Sequence, residues 1–130
     1  MDKIRYSEEY FPPAPVLKVS IAVPEESSTS REFSALVDTG ADGTFVPTSI
    51  LDNFDLPISY MTNVRSHLGE SLHNAPVYKV DLILFNSIRL PSVEVVGDDF
   101  GDRVILGRNI LNLLKLNLDG PGKTISITKA

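Results

Sequence analysis

Ala35-Leu36-Val37-Asp38-Thr39-Gly40-Ala41-Asp42-Gly43-Thr44-Phe45-Val46-Pro47 decides the reading: an apolar strand delivers an aspartate into a tight glycine-containing turn, and a second apolar strand begins directly after it. The surroundings continue the β pattern. Val16 to Val23 and Glu32 to Val37 flank a polar turn, Pro24 to Arg31, as a hairpin with a solvated loop would. Further short strands are expected at Ile58 to Ser66, Leu72 to Phe85, Ile88 to Val96 (interrupted or bent at Pro91), Val104 to Leu106, Leu114 to Leu118 and Thr124 to Thr128. Two short helical pieces are expected: Thr48 to Asn53, capped by Thr48 with Ile50, Leu51 and Phe54 inward, and Asn109 to Leu113. So many short strands in 130 residues predict an all-β barrel or sandwich.

Composition narrows the chemistry. The chain has no cysteine, which removes disulfides, cysteine-zinc sites, iron-sulfur clusters and cysteine nucleophiles. With 17 acidic residues against 12 basic ones and no Lys/Arg cluster, attraction to a phosphate backbone is weak, and no nucleic-acid partner is expected. No apolar run approaches the roughly 20 residues that span a bilayer. The stretch Met1 to Tyr6 holds no apolar segment of signal-peptide type, so the reading is cytoplasmic with no membrane partner. Residues 1–15, with Phe11-Pro12-Pro13-Ala14-Pro15, lack periodicity and read as an N-terminal arm or linker outside the core, leaving residues 16–130 as one domain.

A second stretch completes the pattern: Val104-Ile105-Leu106-Gly107-Arg108-Asn109-Ile110-Leu111. An apolar pair followed by Asp-Thr-Gly-Ala, and later apolar residues followed by Gly-Arg-Asn, resembles the retroviral-type aspartic proteases, the retropepsins. The resemblance covers roughly Val16 to Leu118. It implies a retropepsin-like closed barrel, half of an acid protease, with one or two short helices and a flap hairpin. It also implies an aspartic endopeptidase: a hydrolase that cleaves a polypeptide substrate with a water activated by two carboxylates, and that needs no cofactor.

Two carboxylates about 3 Å apart cannot both ionise and share one proton, so one serves as base and the other as acid. This chain offers one aspartate in that context, because Asp42-Gly43 and Asp119-Gly120 lack the strand-to-turn setting of Asp38. The expected enzyme is therefore a homodimer with Asp38 of each protomer at the two-fold axis. Gly40 offers backbone freedom and close approach, and Thr39 a hydroxyl that can bond across the dyad. By resemblance, Ala41 belongs to the same turn, while Asp42 and Arg108 form an ion pair beneath the site. The flap candidate is Val64 to Leu72, with His67, Leu68, Gly69 and Glu70 around its tip. Retropepsins interleave terminal strands across the dimer, so Thr124 to Thr128 is the expected interface strand, and deletion after Gly122 is expected to release monomers.

Other readings compete at each point. Asp38 could cap a plain β-turn. His67 and His73, six apart, have no recognised partner for a metal and read as exposed loop histidines; no metal site is expected. The acidic run Gly97 to Asp102 lacks EF-hand spacing and reads as a solvated turn. No Gly-x-Ser-x-Gly elbow is present. The rival to an enzyme is a non-catalytic dimeric module of the same fold that binds an extended peptide.

Overall fold

The computed structural model describes residues 3–65, 72–85 and 87–129. In chain order the elements are β1 (Lys3–Arg5), β2 (Val16–Ala22), β3 (Phe33–Val37), β4 (Phe45–Pro47), α1 (Thr48–Leu51), β5 (Tyr60–Arg65), β6 (Leu72–Leu84), β7 (Ile88–Asp98), β8 (Val104–Leu106), α2 (Arg108–Leu111), β9 (Leu114–Asp119) and β10 (Thr124–Lys129). The expected all-β class is the observed one.

Six of these strands close a ring. β2 pairs antiparallel with β3, β3 parallel with β8, β8 antiparallel with β4, β4 parallel with β7, and β7 antiparallel with β6, which returns to β2. Closure satisfies the backbone groups that an open sheet would leave at its edges. Leu17, Val19, Ile21, Ala35, Leu82 and Leu106 fill the interior and are wholly shielded from solvent. β5 lies outside the ring along β6, in register from Tyr60↔Val77 to Arg65↔Leu72, which makes a long hairpin. The flap residues His67, Leu68, Gly69 and Glu70 lie outside the described residues; the hairpin strands on either side of them are described.

A second sheet runs in the order β1, β10, β9. The arm reading is corrected here: Lys3 to Arg5 pair with Thr124 to Ser126, and Ile4 and Tyr6 pack against the core. Apolar side chains at alternate positions let even a three-residue strand bury one face. The segment beyond it forms a small closed loop, in which Ser7 and Ala14 exchange backbone hydrogen bonds of 2.8 and 3.1 Å. Ile125 and Ile127 of β10 are buried in the core of this chain.

The bend expected at Pro91 is a β-bulge in an unbroken β7. The β6–β7 register shifts between Val80↔Val93 and Leu82↔Leu90, so the proline's missing N–H falls where the ladder is already interrupted. Asp81 sits at this shift and is almost fully buried. Its carboxylate accepts from the N–H of Ser92 at 2.8 Å and of Glu25 at 3.2 Å, two residues held at positive φ, and pairs with Arg89. Burial pushes its pKa up, but the Ser92 N–H, the Arg89 guanidinium and the Glu25 N–H outweigh that and hold it below the ordinary carboxylate value.

Both helices are single turns. Thr48 does not cap α1: Pro47 occupies the capping position, no side chain caps it, and Thr48 is the first helical residue. Proline's fixed φ suits the approach to a first turn. α2 begins at Arg108, one residue earlier than expected, with Gly107 as its N-cap.

Candidate active site

The parallel pairing of β3 with β8 sets Val37 beside Leu106, so the chain leaves both strands at the same end. Asp38 and Gly107 are the next residues on each strand. The Asp38 N–H donates to the Leu106 carbonyl at 3.0 Å, which extends the ladder one step into the turn. The Ala41 N–H then donates to the Asp38 carbonyl at 3.2 Å, and Asp38 Oδ1 accepts from the Gly40 N–H at 2.9 Å. A half-buried carboxylate is thereby held at one orientation at the mouth of the barrel.

Gly40 does not adopt the left-handed backbone, so conformational freedom is not what this position requires. A Cβ there would stand 3.2 Å from Asp38 Oδ1, a tight approach that would press on the carboxylate. Thr39, Gly40 and Asp42 are exposed in the single chain, with Ala41 half-buried.

Arg108 braces the turn from below. Its backbone N–H donates to the Ala41 carbonyl at 2.9 Å, its Nη1 donates to the Thr39 carbonyl at 2.9 Å, and its Nη2 pairs with Asp42 Oδ1. The ion pair is solvent-exposed on both sides, so its free energy is small. The guanidinium acts mainly by fixing the Thr39 carbonyl in place, while the Arg108 backbone N–H holds that of Ala41.

Two residues of the motifs turn out to matter in a way spacing did not signal. The buried Thr44 hydroxyl donates to Asn109 Oδ1 at 2.8 Å and accepts from the Gly107 N–H at 3.1 Å. Asn109 Nδ2 in turn donates to the Glu94 carbonyl at 2.9 Å. This chain of bonds ties the aspartate turn to α2 and to β7. Its residue types, Thr after Gly43 and Asn after Arg108, were visible; their pairing needed the fold.

Above the turn lies an open cleft of about 1050 Å³, bounded by the Asp38 turn, the β5–β6 hairpin and the loop after β7. Asp38, Asp42, Glu94 and Asp98 face it, with Arg65, and apolar contact comes from Val77, Val96 and Ile105. A mostly apolar concave wall with a few convergent polar groups is what a ligand site presents. The Tyr60 hydroxyl donates to Glu94 Oε1 at 2.7 Å; that hydrogen bond, with desolvation and the Glu94 charge, raises the phenol's pKa and keeps it a neutral donor.

His73 corrects the loop-histidine reading: it is half-buried in β6, and its ring meets Phe100 edge-on at 5.2 Å between centroids. The 97–102 segment is a turn in which Asp98 Oδ1 accepts from the N–H groups of Phe100 and Gly101, both at 3.0 Å.

The fold, the two facing loops and the cleft define an acid-protease half-barrel. The chain belongs to the family described as "gag-polyprotein putative aspartyl protease", whose profile matches residues 28–113. Among solved structures it is similar to a retropepsin-like aspartic protease from Rickettsia conorii, with TM-score 0.66 and 13% identity over 99% of this chain and 91% of that one. The EIAV protease complexed with the inhibitor HBY-793 aligns with TM-score 0.58 and 19% identity, over 84% of this chain and 92% of that one. The retroviral protease-like domain of Ddi1 from Leishmania major aligns with TM-score 0.53 and 13% identity, over 88% and 90%. No curated protein matches this chain in sequence.

Proposed function

We propose that this protein is an aspartic endopeptidase, active as a homodimer in which Asp38 of each protomer supplies one carboxylate of the catalytic pair. The observation that carries the reading is the placement of Asp38: one oriented carboxylate, on a turn exposed in the single chain, at the floor of an open cleft. A second copy meeting it at a two-fold axis covers that turn and completes the pair.

In the paired site the ionised carboxylate takes a proton from a water held between the two, and the water oxygen attacks the peptide carbonyl carbon. The protonated carboxyl gives its proton to the developing oxyanion. The leaving nitrogen then takes up the proton held by the first carboxyl, the C–N bond breaks, and one hydroxyl of the collapsing adduct returns its proton to the second carboxylate, so the pair again shares one proton. Gly40 and Arg108 hold the carboxylates through the turn, and the Thr39 hydroxyl bridges to the opposite turn. The β5–β6 hairpin closes over the substrate, a polypeptide in extended form.

The test is cleavage of a diverse peptide library from pH 4 to 7 by the wild type and by Asp38→Ala, with products read by mass. Cuts made by the wild type alone, with specific activity falling on dilution as dimers dissociate, are the expected result. Equal cutting by both proteins overturns the mechanism. Folded dimers that bind peptides without cutting them establish the non-catalytic module instead.

A further inference from the structure

We propose that Tyr10, in the N-terminal loop, is a positioning residue for the cleft: through Arg103 it holds the 98–103 loop that carries Phe100 to the cleft wall. The inference rests on the reading of the cleft as a peptide-cleaving site, and adds to it a residue far from the aspartate motif in the sequence.

The 98–103 loop has two faces. On one side Phe100 and Gly101 line the catalytic cleft; on the other Asp102 and Arg103 line a separate groove whose opposite wall is Ser7, Glu9 and Tyr10. The Arg103 guanidinium stands 5.0 Å from the Tyr10 ring centre, a cation–π contact, and Asp102 Oδ1 lies 3.7 Å from Arg103 Nε. Phe100, 81% exposed, touches His73 of the flap hairpin with its ring. The loop is thus gripped between the N-terminal segment on one side and the flap strand on the other.

Its own winding is tight. The Asp98 carboxylate accepts from the Phe100 and Gly101 N–H groups, and a Cβ on Gly101 would fall 2.1 Å from Asp98 Oδ2, so the turn is wound closely around that side chain. What orients the turn is its outer contacts, and Arg103 is the residue that joins it to β8 and so to Gly107 and Arg108.

Tyr10 is a fixed point for the grip. The segment that carries it is tied by β1 to β10, by the Tyr6 N–H to the Lys123 carbonyl at 2.9 Å, by the Ser7 and Ala14 exchange, and by the Pro15 carbonyl to the Val37 N–H at 3.1 Å. The last bond lies one residue before Asp38. An element so anchored can hold a loop at low entropic cost to substrate binding.

The test compares Tyr10→Leu with Tyr10→Phe in the full-length chain. Phenylalanine keeps a ring face for the guanidinium; leucine keeps bulk without it. In Tyr10→Leu, residue-resolved amide exchange by NMR should speed up about 2- to 5-fold at Phe100 and Gly101, with Val80 and Leu82 in the barrel unchanged. KM for a cleaved peptide should rise by a similar factor with kcat held, and Tyr10→Phe should restore all of these values.

Unchanged exchange at Phe100 and Gly101 in Tyr10→Leu overturns the inference. So does equal acceleration in Tyr10→Phe, or acceleration that spreads to Val80 and Leu82, which would mark a general loss of stability. If the wild type cleaves no peptide, the endopeptidase reading falls, and the exchange comparison still decides the part played by Tyr10.

Discussion

Gly107 lies against the backbone of Gly43 so closely that a Cβ at 107 would stand 2.0 Å from the Gly43 carbonyl oxygen. Neither partner is a side chain that can turn away, and both belong to the two loops that the β3–β8 pairing sets side by side. Gly107→Ala should therefore force the aspartate turn and α2 apart. The expected cost is about 2 to 3 kcal/mol of stability, read by chemical denaturation, together with loss of peptide cleavage. An alanine variant of wild-type stability and activity would contradict the close approach.

Thr44 has no solvent exposure and uses its hydroxyl twice, toward Asn109 Oδ1 and from the Gly107 N–H. Thr44→Val keeps the shape and strands both partners. The expected loss is about 1 to 3 kcal/mol, and Thr44→Ser, which keeps the hydroxyl, should recover most of it. A valine variant as stable as the serine one would show that the bonds contribute little.

Asp81 ties acid sensitivity to the β6–β7 bulge. Its pKa is lower folded than unfolded, so its stabilisation is fully present above the unfolded value of about 4 and is lost as pH falls through the folded value. Thermal melts at stepped pH should show a drop below about pH 4 that is shallower in Asp81→Asn. The asparagine variant should be weaker at pH 7 by about 1 to 3 kcal/mol, Arg89 being partly exposed and able to recover hydration. Parallel pH curves for the two proteins would remove Asp81 from the acid response.

Deletion after Gly122 now has a different expected outcome from simple release of monomers. It removes Ile125 and Ile127 from the core and leaves β1 and β9 without the strand between them. Burial of two isoleucines is worth about 3 to 6 kcal/mol, comparable with the whole stability of a small domain. Circular dichroism of the truncated chain should show unfolding; a folded monomer would mean that the second sheet is dispensable.

Much was legible beforehand because the informative residues are local. A strand running into Asp38-Thr39-Gly40, and another into Gly107-Arg108-Asn109, announce two tight loops by apolar runs and glycine alone, and in order they pointed to the family. Strand positions followed from the same runs within a residue or two, and Pro91 announced its bend. What stayed hidden was long-range pairing. Asp81 has no partner signalled by its neighbours in Val80 to Leu84; the register shift opposite Pro91 supplies Ser92. The arm looked unstructured because three paired residues, Lys3 to Arg5, are too few to show a period.

Residue order alone established the class of fold and the absence of cysteine, and it singled out Asp38 as the aspartate in a strand-to-turn setting, since these depend on residue type and near-neighbour spacing. The bonds from Thr44 to Asn109 and Gly107, the brace of Arg108 beneath Thr39, and the contact of Tyr10 with Arg103 were set by barrel closure and by the parallel pairing of β3 with β8. Those contacts join segments distant along the chain, and their partners are selected by strand register and packing, which no local pattern encodes.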